Sequence, residues 1–272
     1  MRSSHHRNHH ARRLLCLTAL ACFVAGGTAY ACTRKAAMPQ LPELPAESLV
    51  QPAENGVQQS TLTAAQAQAL LDDPRMILVS RAHPITEDYP VETKECGSAT
   101  AINKTLQTEA ADAFLSMQAA AAKDGVDVRM QSGYRSVSYQ KKLYDNKTQY
   151  YRDKGLSEAA AREKAAVIVN PPGCSEHNCG LAADLNSPEH TTLDPGFADT
   201  AAFRWLCENA EQYGFILRYP KEAESVTGIT YEPWHWRYVG PENAALLNRS
   251  GLCLEDAVAV LQRIAAGETV TG

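Results

Sequence analysis

Apolar residues recur at helical spacing in several stretches of this chain. Between residues 108 and 123, Ala111, Phe114, Leu115 and Met117 fall on one stripe and Gly125 ends it, which predicts an amphipathic helix. Residues 200–213 repeat the pattern with Phe203, Leu206 and Ala210. Helices are predicted in the same way for 63–71, 136–151, 157–167 and 254–265; the first stops before Asp72-Asp73-Pro74, and Pro171-Pro172-Gly173 closes off the third. Short runs of branched and aromatic residues predict strands at 76–79, 126–131, 182–185, 215–218 and 234–239. Strands and helices mix without a steady β-α-β rhythm, so the predicted fold class is α+β.

The N-terminal pattern differs. A basic stretch ends at Arg12-Arg13, an apolar run follows from Leu14 to about Gly27, and Ala29-Tyr30-Ala31 is a small-x-small cleavage pattern. Residues 1–31 therefore read as an export signal. Retention of the run as a membrane anchor and lipid modification at Cys32 stay open as its alternative fates. Residues 32–61, rich in Pro, Ala and Gln, read as a linker, with Pro39, Pro42, Pro45 and Pro52 interrupting any helix. The folded domain is placed at 62–272. An exported protein of the cell envelope or the extracellular space is the expectation.

Charge and cysteine content sharpen this. The first 31 residues hold four arginines and no acid, so the remainder carries −9 against −5 for the whole chain. An acidic body argues against a nucleic-acid partner. Two of the eight cysteines, Cys16 and Cys22, lie in the apolar run, leaving six. An even number in an exported chain suggests disulfides. Cys174 and Cys179 are spaced to staple a short loop, and Cys207 with Cys253 is the second expected pair.

Four of eight histidines precede the apolar run, leaving His83, His177, His190 and His235. His177 and Asp184 stand in Ser175-Glu176-His177-Asn178-Cys179-Gly180-Leu181-Ala182-Ala183-Asp184, where Gly and Ala let the chain fold close to a metal. His235 stands in Glu232-Pro233-Trp234-His235-Trp236. Pro233 rules out a helix interior, so this is not a helical zinc motif. Two imidazoles and one carboxylate match a catalytic zinc set that keeps a position for water. Glu232 is then the spare carboxylate that can take the water's proton. A salt-bridged surface pair is the ordinary reading of His177 and Asp184 taken alone; the joint pattern is what points to a metal. A small structural zinc site on Cys174, His177 and Cys179 is an alternative, which an oxidising compartment disfavours.

Ser175-x-His177-x6-Asp184 together with Glu232-x-x-His235 is similar to the signature of the zinc D-alanyl-D-alanine carboxypeptidases. Ser132-Gly133-Tyr134-Arg135-Ser136, with Gln140 following, resembles their upstream element, and the stretches 214–220 and 231–240 look like the VanY branch. The resemblance spans about 77–254. It implies a single zinc-peptidase domain of the hedgehog/DD-peptidase kind, with a central antiparallel sheet flanked by helices. It implies one Zn2+ held by His177, Asp184 and His235, with Glu232 as general base and Arg135 stabilising the oxyanion or holding substrate. Ser175 and Gln140 would bind substrate, and Trp234 and Tyr219 would line the pocket. The implied partners are peptidoglycan stem peptides, trimmed of their terminal D-alanine. An L,D-carboxypeptidase or a stem-peptide endopeptidase would use the same centre. The related hedgehog signalling domains keep such a site yet act by binding partners; a full set of Glu232, Arg135 and Ser175 argues for catalysis here.

Overall fold

The computed structural model describes residues 50–52, 58–60 and 62–270. The segment read as an export signal, Cys32, and most of the stretch read as a linker lie outside these residues. Within that stretch, β1 (Val50–Pro52) pairs antiparallel with β2 (Gln58–Ser60).

The domain then runs α1 (Ala64–Leu71), the hairpin of β3 (Thr93–Glu95) and β4 (Thr105–Gln107), α2 (Thr108–Lys123) and β5 (Arg129–Ser132). The helical pair α3 (Val137–Asp153) and α4 (Glu158–Ala166) follows, then β6 (Ala182–Asn186), α5 (Ala201–Asn209) and β7 (Phe215–Leu217). The short α6 (Glu224–Thr227), β8 (His235–Tyr238), α7 (Pro241–Ser250) and α8 (Leu254–Ala265) complete it. This is the predicted α+β architecture. The central sheet has the order β5-β6-β8-β7, antiparallel throughout.

Side chains alternate across a strand, and here the alternation separates core from chemistry. Ala183 and Leu185 of β6, Trp236 and Tyr238 of β8 and Phe215 of β7 bury one face of the sheet in a large core. The stripe Ala110, Phe114, Met117 and Ala121 of α2 closes that core, together with Ala202, Phe203 and Leu206 of α5. The intervening residues point the other way: Asp184, His235, Arg237 and Ile216. Ile216 and Val239 join a second core with Ala67 of α1, Leu247 of α7 and Leu254, Ala257 and Leu261 of α8.

Three expectations need correction. Residues 76–79 do not form a strand. Pro74–Met76 is a 3-10 turn, and the carbonyls of Arg75 and Ile77 accept hydrogen bonds from Arg237 Nη2 at 2.9 Å each, where a strand would need a neighbouring backbone. Met76 and Val79 are still buried, which accounts for the apolar run. The expected Cys174–Cys179 and Cys207–Cys253 bridges are not formed: all described cysteines are free thiols. Cys179 turns inward and donates to the carbonyl of Glu176 at 3.0 Å, whereas Cys174 faces the carbonyl of Pro172. The helix α7 and the β3–β4 hairpin were not predicted.

Asp73 joins the ends of the domain. Its carboxylate caps the 3-10 turn through Arg75 N (2.9 Å), grips the Arg75 guanidinium (2.8 Å to Nη2) and accepts from Asn243 of α7 (2.9 Å). Burial pushes its pKa up, but the hydrogen bonds from Arg75 and Asn243 outweigh this and hold it below the usual value. A depressed carboxylate contributes stability that is present above its unfolded pKa and is lost as pH falls through its folded value. Asp73→Ala is therefore expected to destabilise the domain by about 1.5–3 kcal/mol at pH 7, and by less as pH is lowered below 4, in urea titrations at several pH values.

Candidate metal centre and active site

Antiparallel register builds the site. Asp184 of β6 lies directly opposite His235 of β8, on the sheet face turned away from the large core. On the other side of β6, Asp184 pairs with Ser132, just after a register shift between Met130 and Ser132. The bulge turns the chain out of the sheet, so that Gly133, Tyr134 and Arg135 run over the site. His177 comes from the 3-10 turn Glu176–Cys179, whose left-handed cap is Gly180, with φ 75°. The carbonyl of Gly180 accepts from Gln107 N at 2.8 Å, anchoring the turn to β4.

The three side chains converge. His177 Nε2 is 3.2 Å from Asp184 Oδ2, and His235 Nδ1 is 3.2 Å from Asp184 Oδ1. One ligand atom from each of His177, Asp184 and His235 falls within 4.8 Å of the others, and all three residues are buried. The second nitrogen of His177, Nδ1, meets the carbonyl of Gly133 at 2.8 Å. That carbonyl accepts an N–H, which assigns the proton to Nδ1 and leaves Nε2 with its lone pair toward the cluster. Two nitrogen donors, one carboxylate and this second contact fit a zinc ion.

Glu232 arrives by a tight turn. His235 N–H donates to the carbonyl of Glu232 at 3.1 Å, with Pro233 at the position that favours its fixed φ. The turn brings Glu232 Oε2 to 3.7 Å from His235 Nδ1. Arg135 approaches from the segment that follows β5, its Nη2 at 4.0 Å from Asp184 Oδ2. Its backbone is fixed at both ends: Arg135 N donates to the carbonyl of His177 (3.0 Å), and Asn178 Nδ2 donates to the carbonyl of Arg135 (2.7 Å).

The electrostatics separate two carboxylates. Burial pushes Asp184 up, but the adjacent His177 and His235 outweigh this and hold it far below the usual range. Burial dominates at Glu232: with Asp184 and Glu176 nearby it raises the pKa to about 7, against the pull of His235 and Arg135. One carboxylate is a permanent anion; the other is poised to exchange a proton near neutrality. Burial and the Arg135 charge lower the pKa of His177, which favours the neutral ring that a metal would need. Burial acts downward on His235 as well, but Asp184 and Glu176 raise it to about 9, so metal binding there displaces a proton.

The remaining expected residues take distinct places. Gln140, on α3, is buried and has both polar ends engaged: Oε1 accepts from Arg135 Nη1 (3.1 Å), and Nε2 donates to the carbonyl of Asn170 (2.7 Å). It reaches the site through Arg135. Ser175 is buried at the entry to the turn that carries His177. The ring of Tyr219 packs 4.8 Å from that of His235. Trp234 helps to wall a groove of about 500 Å³ with Pro195, Lys221, Glu224, Thr230 and Tyr231. Sequence reasoning missed three buried residues beneath His235: Glu176, Arg218 and Arg237. The signal for Glu176 was its place beside His177.

A cation that polarises water, a carboxylate that takes the proton and a guanidinium that meets negative charge belong to the metal-dependent hydrolases of amide bonds. The sequence model of the VanY D-alanyl-D-alanine carboxypeptidases matches residues 103–241. A D-alanyl-D-alanine carboxypeptidase of Enterococcus faecalis is 38% identical over 221 residues, 80% of this chain and 78% of the relative. A mutant of a vancomycin resistance D,D-pentapeptidase VanY, solved in complex with Zn(II), is 37% identical with TM-score 0.57, over 68% of this chain and 98% of that one. The LdcB LD-carboxypeptidase is 31% identical with TM-score 0.59, over 77% of this chain and 92% of that one. The chain belongs to the VanY D-alanyl-D-alanine carboxypeptidase family, and it is a zinc-dependent hydrolase.

Gly133 is the backbone constraint in this centre. A Cβ there would lie 2.2 Å from the carbonyl oxygen of Thr105. Gly133→Ala is expected to shift the carbonyl that holds His177 and to cost about 1–3 kcal/mol, read by urea unfolding alongside weakened zinc binding.

Proposed function

We propose that this protein removes the terminal D-alanine from peptidoglycan stem peptides, with His177, Asp184 and His235 as zinc ligands, Glu232 as general base and Arg135 at the oxyanion. The observation that carries this reading is the flanking of one His-Asp-His cluster by Glu232 on the β8 side and Arg135 on the β5 side. Bound zinc supplies Lewis-acid polarisation of the scissile carbonyl and a lowered pKa for the attacking water. Glu232 accepts the proton that water gives up as its oxygen bonds to the carbonyl carbon. It then delivers that proton to the amine nitrogen as the C–N bond breaks and D-alanine leaves. Arg135, held by Gln140, stabilises the negative charge that develops on the carbonyl oxygen. In this reading Ser175 and Trp234 contact the substrate, and Tyr219 backs the ring of His235.

The reading includes export. The basic-then-apolar leader and its small-x-small pattern support delivery to the cell envelope, where stem peptides are found, with cleavage, membrane retention or lipid modification at Cys32 as the routes. The likeness to LdcB supports a second specificity, for the L,D bond of a tetrapeptide stem, with the same centre.

Mass spectrometry of the zinc-loaded protein with penta- and tetrapeptide muropeptides tests this. Loss of one alanine from the pentapeptide alone is the expected result. Trimming of the tetrapeptide alone replaces the specificity, and no trimming of either removes the reading. Glu232→Gln is expected to keep stoichiometric zinc and to lose about 10²–10⁴ in kcat/KM. The base must be ionised, so wild-type kcat/KM is expected to rise with pH around a midpoint at or below about 7, and this limb should vanish in the variant.

A further inference from the structure

One buried carboxylate has no part in either the zinc set or the proton transfer. Glu176 is 1% exposed. A carboxylate is tolerated in such a place only when cations and hydrogen bonds compensate it. Two guanidiniums do so, both at the same oxygen: Arg218 Nε and Arg237 Nη1 each lie 2.8 Å from Oε1. Burial acts to raise the pKa of Glu176, but the two arginines outweigh it and keep the group ionised.

The other oxygen, Oε2, lies 3.5 Å from Nε2 of His235, an ion-pair distance, and neither atom has a hydrogen-bond partner. Two buried polar atoms that lie this close and lack any other partner are each other's nearest means of satisfaction, within reach of a small rotation of the ring. The arrangement is asymmetric in a useful way. Nδ1 of His235 faces Asp184, while Nε2 faces Glu176, so the ring spans the sheet site and the charge cluster beneath it.

The cluster extends to the end of the domain. Glu255, on the first turn of α8, accepts from Arg218 Nη1 at 2.8 Å and from Nη2 at 2.5 Å. Arg237 is tied by Nη2 to the carbonyls of Arg75 and Ile77. Neither guanidinium can swing away from Glu176 without breaking a second set of bonds. Glu255 lies beyond the residues matched by the family model.

We infer that Glu176 is a positioning residue for the metal centre. Held by Arg218 and Arg237, it receives the N–H of His235 Nε2 and so fixes the ring with Nδ1 toward Asp184 and His177; Glu255 on α8 secures Arg218. The path Glu255–Arg218–Glu176–His235 ties the closing helix to the ligand geometry. A carboxylate partner also makes the imidazole a stronger donor. The inference rests on the zinc reading of the His-Asp-His cluster above.

Zinc affinity by chelator competition, the visible spectrum of the cobalt-substituted protein and thermal unfolding would be compared for the full chain, Glu176→Gln and Glu255→Gln. Glutamine keeps the shape of glutamate and removes the charge. Glu176→Gln is expected to weaken zinc about 10–100-fold and to shift the cobalt bands. Glu255→Gln, at a partly exposed position, is expected to weaken zinc in the same direction by less. A merely structural role would lower the unfolding temperature and leave the affinity of the folded protein and the cobalt bands unchanged, and that outcome overturns the inference. If Glu176→Gln does not fold, Glu255→Gln decides on the same two readouts. Wild-type protein that binds no zinc would overturn the metal reading and this inference together; tight wild-type binding with unchanged variants would overturn only the inference.

Discussion

The pairing of β6 with β8 is the constraint on which the active site depends. Asp184 and His235 are opposite neighbours on one face, and the residues between them in the pattern, Ala183 and Trp236, fill the large core on the other. A slip of one residue would exchange the two faces. It would drive a carboxylate and an imidazole into the packing around Phe114 and turn Trp236 toward the zinc position. The hydrophobic core therefore enforces the catalytic register. The same pairing puts Arg237 beside the centre, where its guanidinium holds both Glu176 and the carbonyls of the segment before it in the fold.

Charge is arranged around this frame in opposed pairs. Asp184, Glu176 and Glu232 are matched by Arg135, Arg218 and Arg237, and guanidiniums remain charged at any working pH. The distribution is uneven. Glu176 has two arginines in contact, Asp184 has two imidazoles, and Glu232 has only the imidazole edge at 3.7 Å and more distant charges. The least compensated carboxylate is the one whose pKa rises toward neutrality, which is why the proposed role of proton carrier goes to Glu232.

Much of this was legible in the sequence, for reasons that differ by residue. The convergence of His177, Asp184 and His235 with Glu232 beside them could be read because each half of the cluster is local: seven positions link His177 to Asp184, and three link Glu232 to His235. The helices with wide apolar stripes were legible too. Residues 76–79 misled because burial produces the same apolar run whether the carbonyls meet a strand or the arginine at position 237. The strand Thr93–Glu95 is fully exposed and polar, so it carries no alternation to read. The cysteine spacing 174–179 gave proximity along the chain but not the direction of Sγ, and the turn Glu176–Cys179 sends Cys179 inward. Glu176 was in plain view, but its partners Arg218 and Arg237 stand 42 and 61 positions away, and only the strand register brings them to it.

The zinc centre itself does not choose between D,D and L,D bonds, since the same donors and the same base serve either. Discrimination has to come from groups that contact the substrate away from the scissile carbonyl. The connection from β7 to β8 supplies five of the six residues of the adjacent groove: Lys221, Glu224, Thr230, Tyr231 and Trp234. It also delivers Glu232, between the last two of them. Glu232 and the groove wall are thus parts of one segment, pinned at one end by Glu232 N–H donating to the carbonyl of Tyr219 and at the other by the turn into β8. Sequence change in this groove wall is limited by the need to keep Glu232 beside His235. Glu232 and the groove wall are in this way coupled through the backbone, while Asp184 on β6 and His177 on the 3-10 turn stand apart from both.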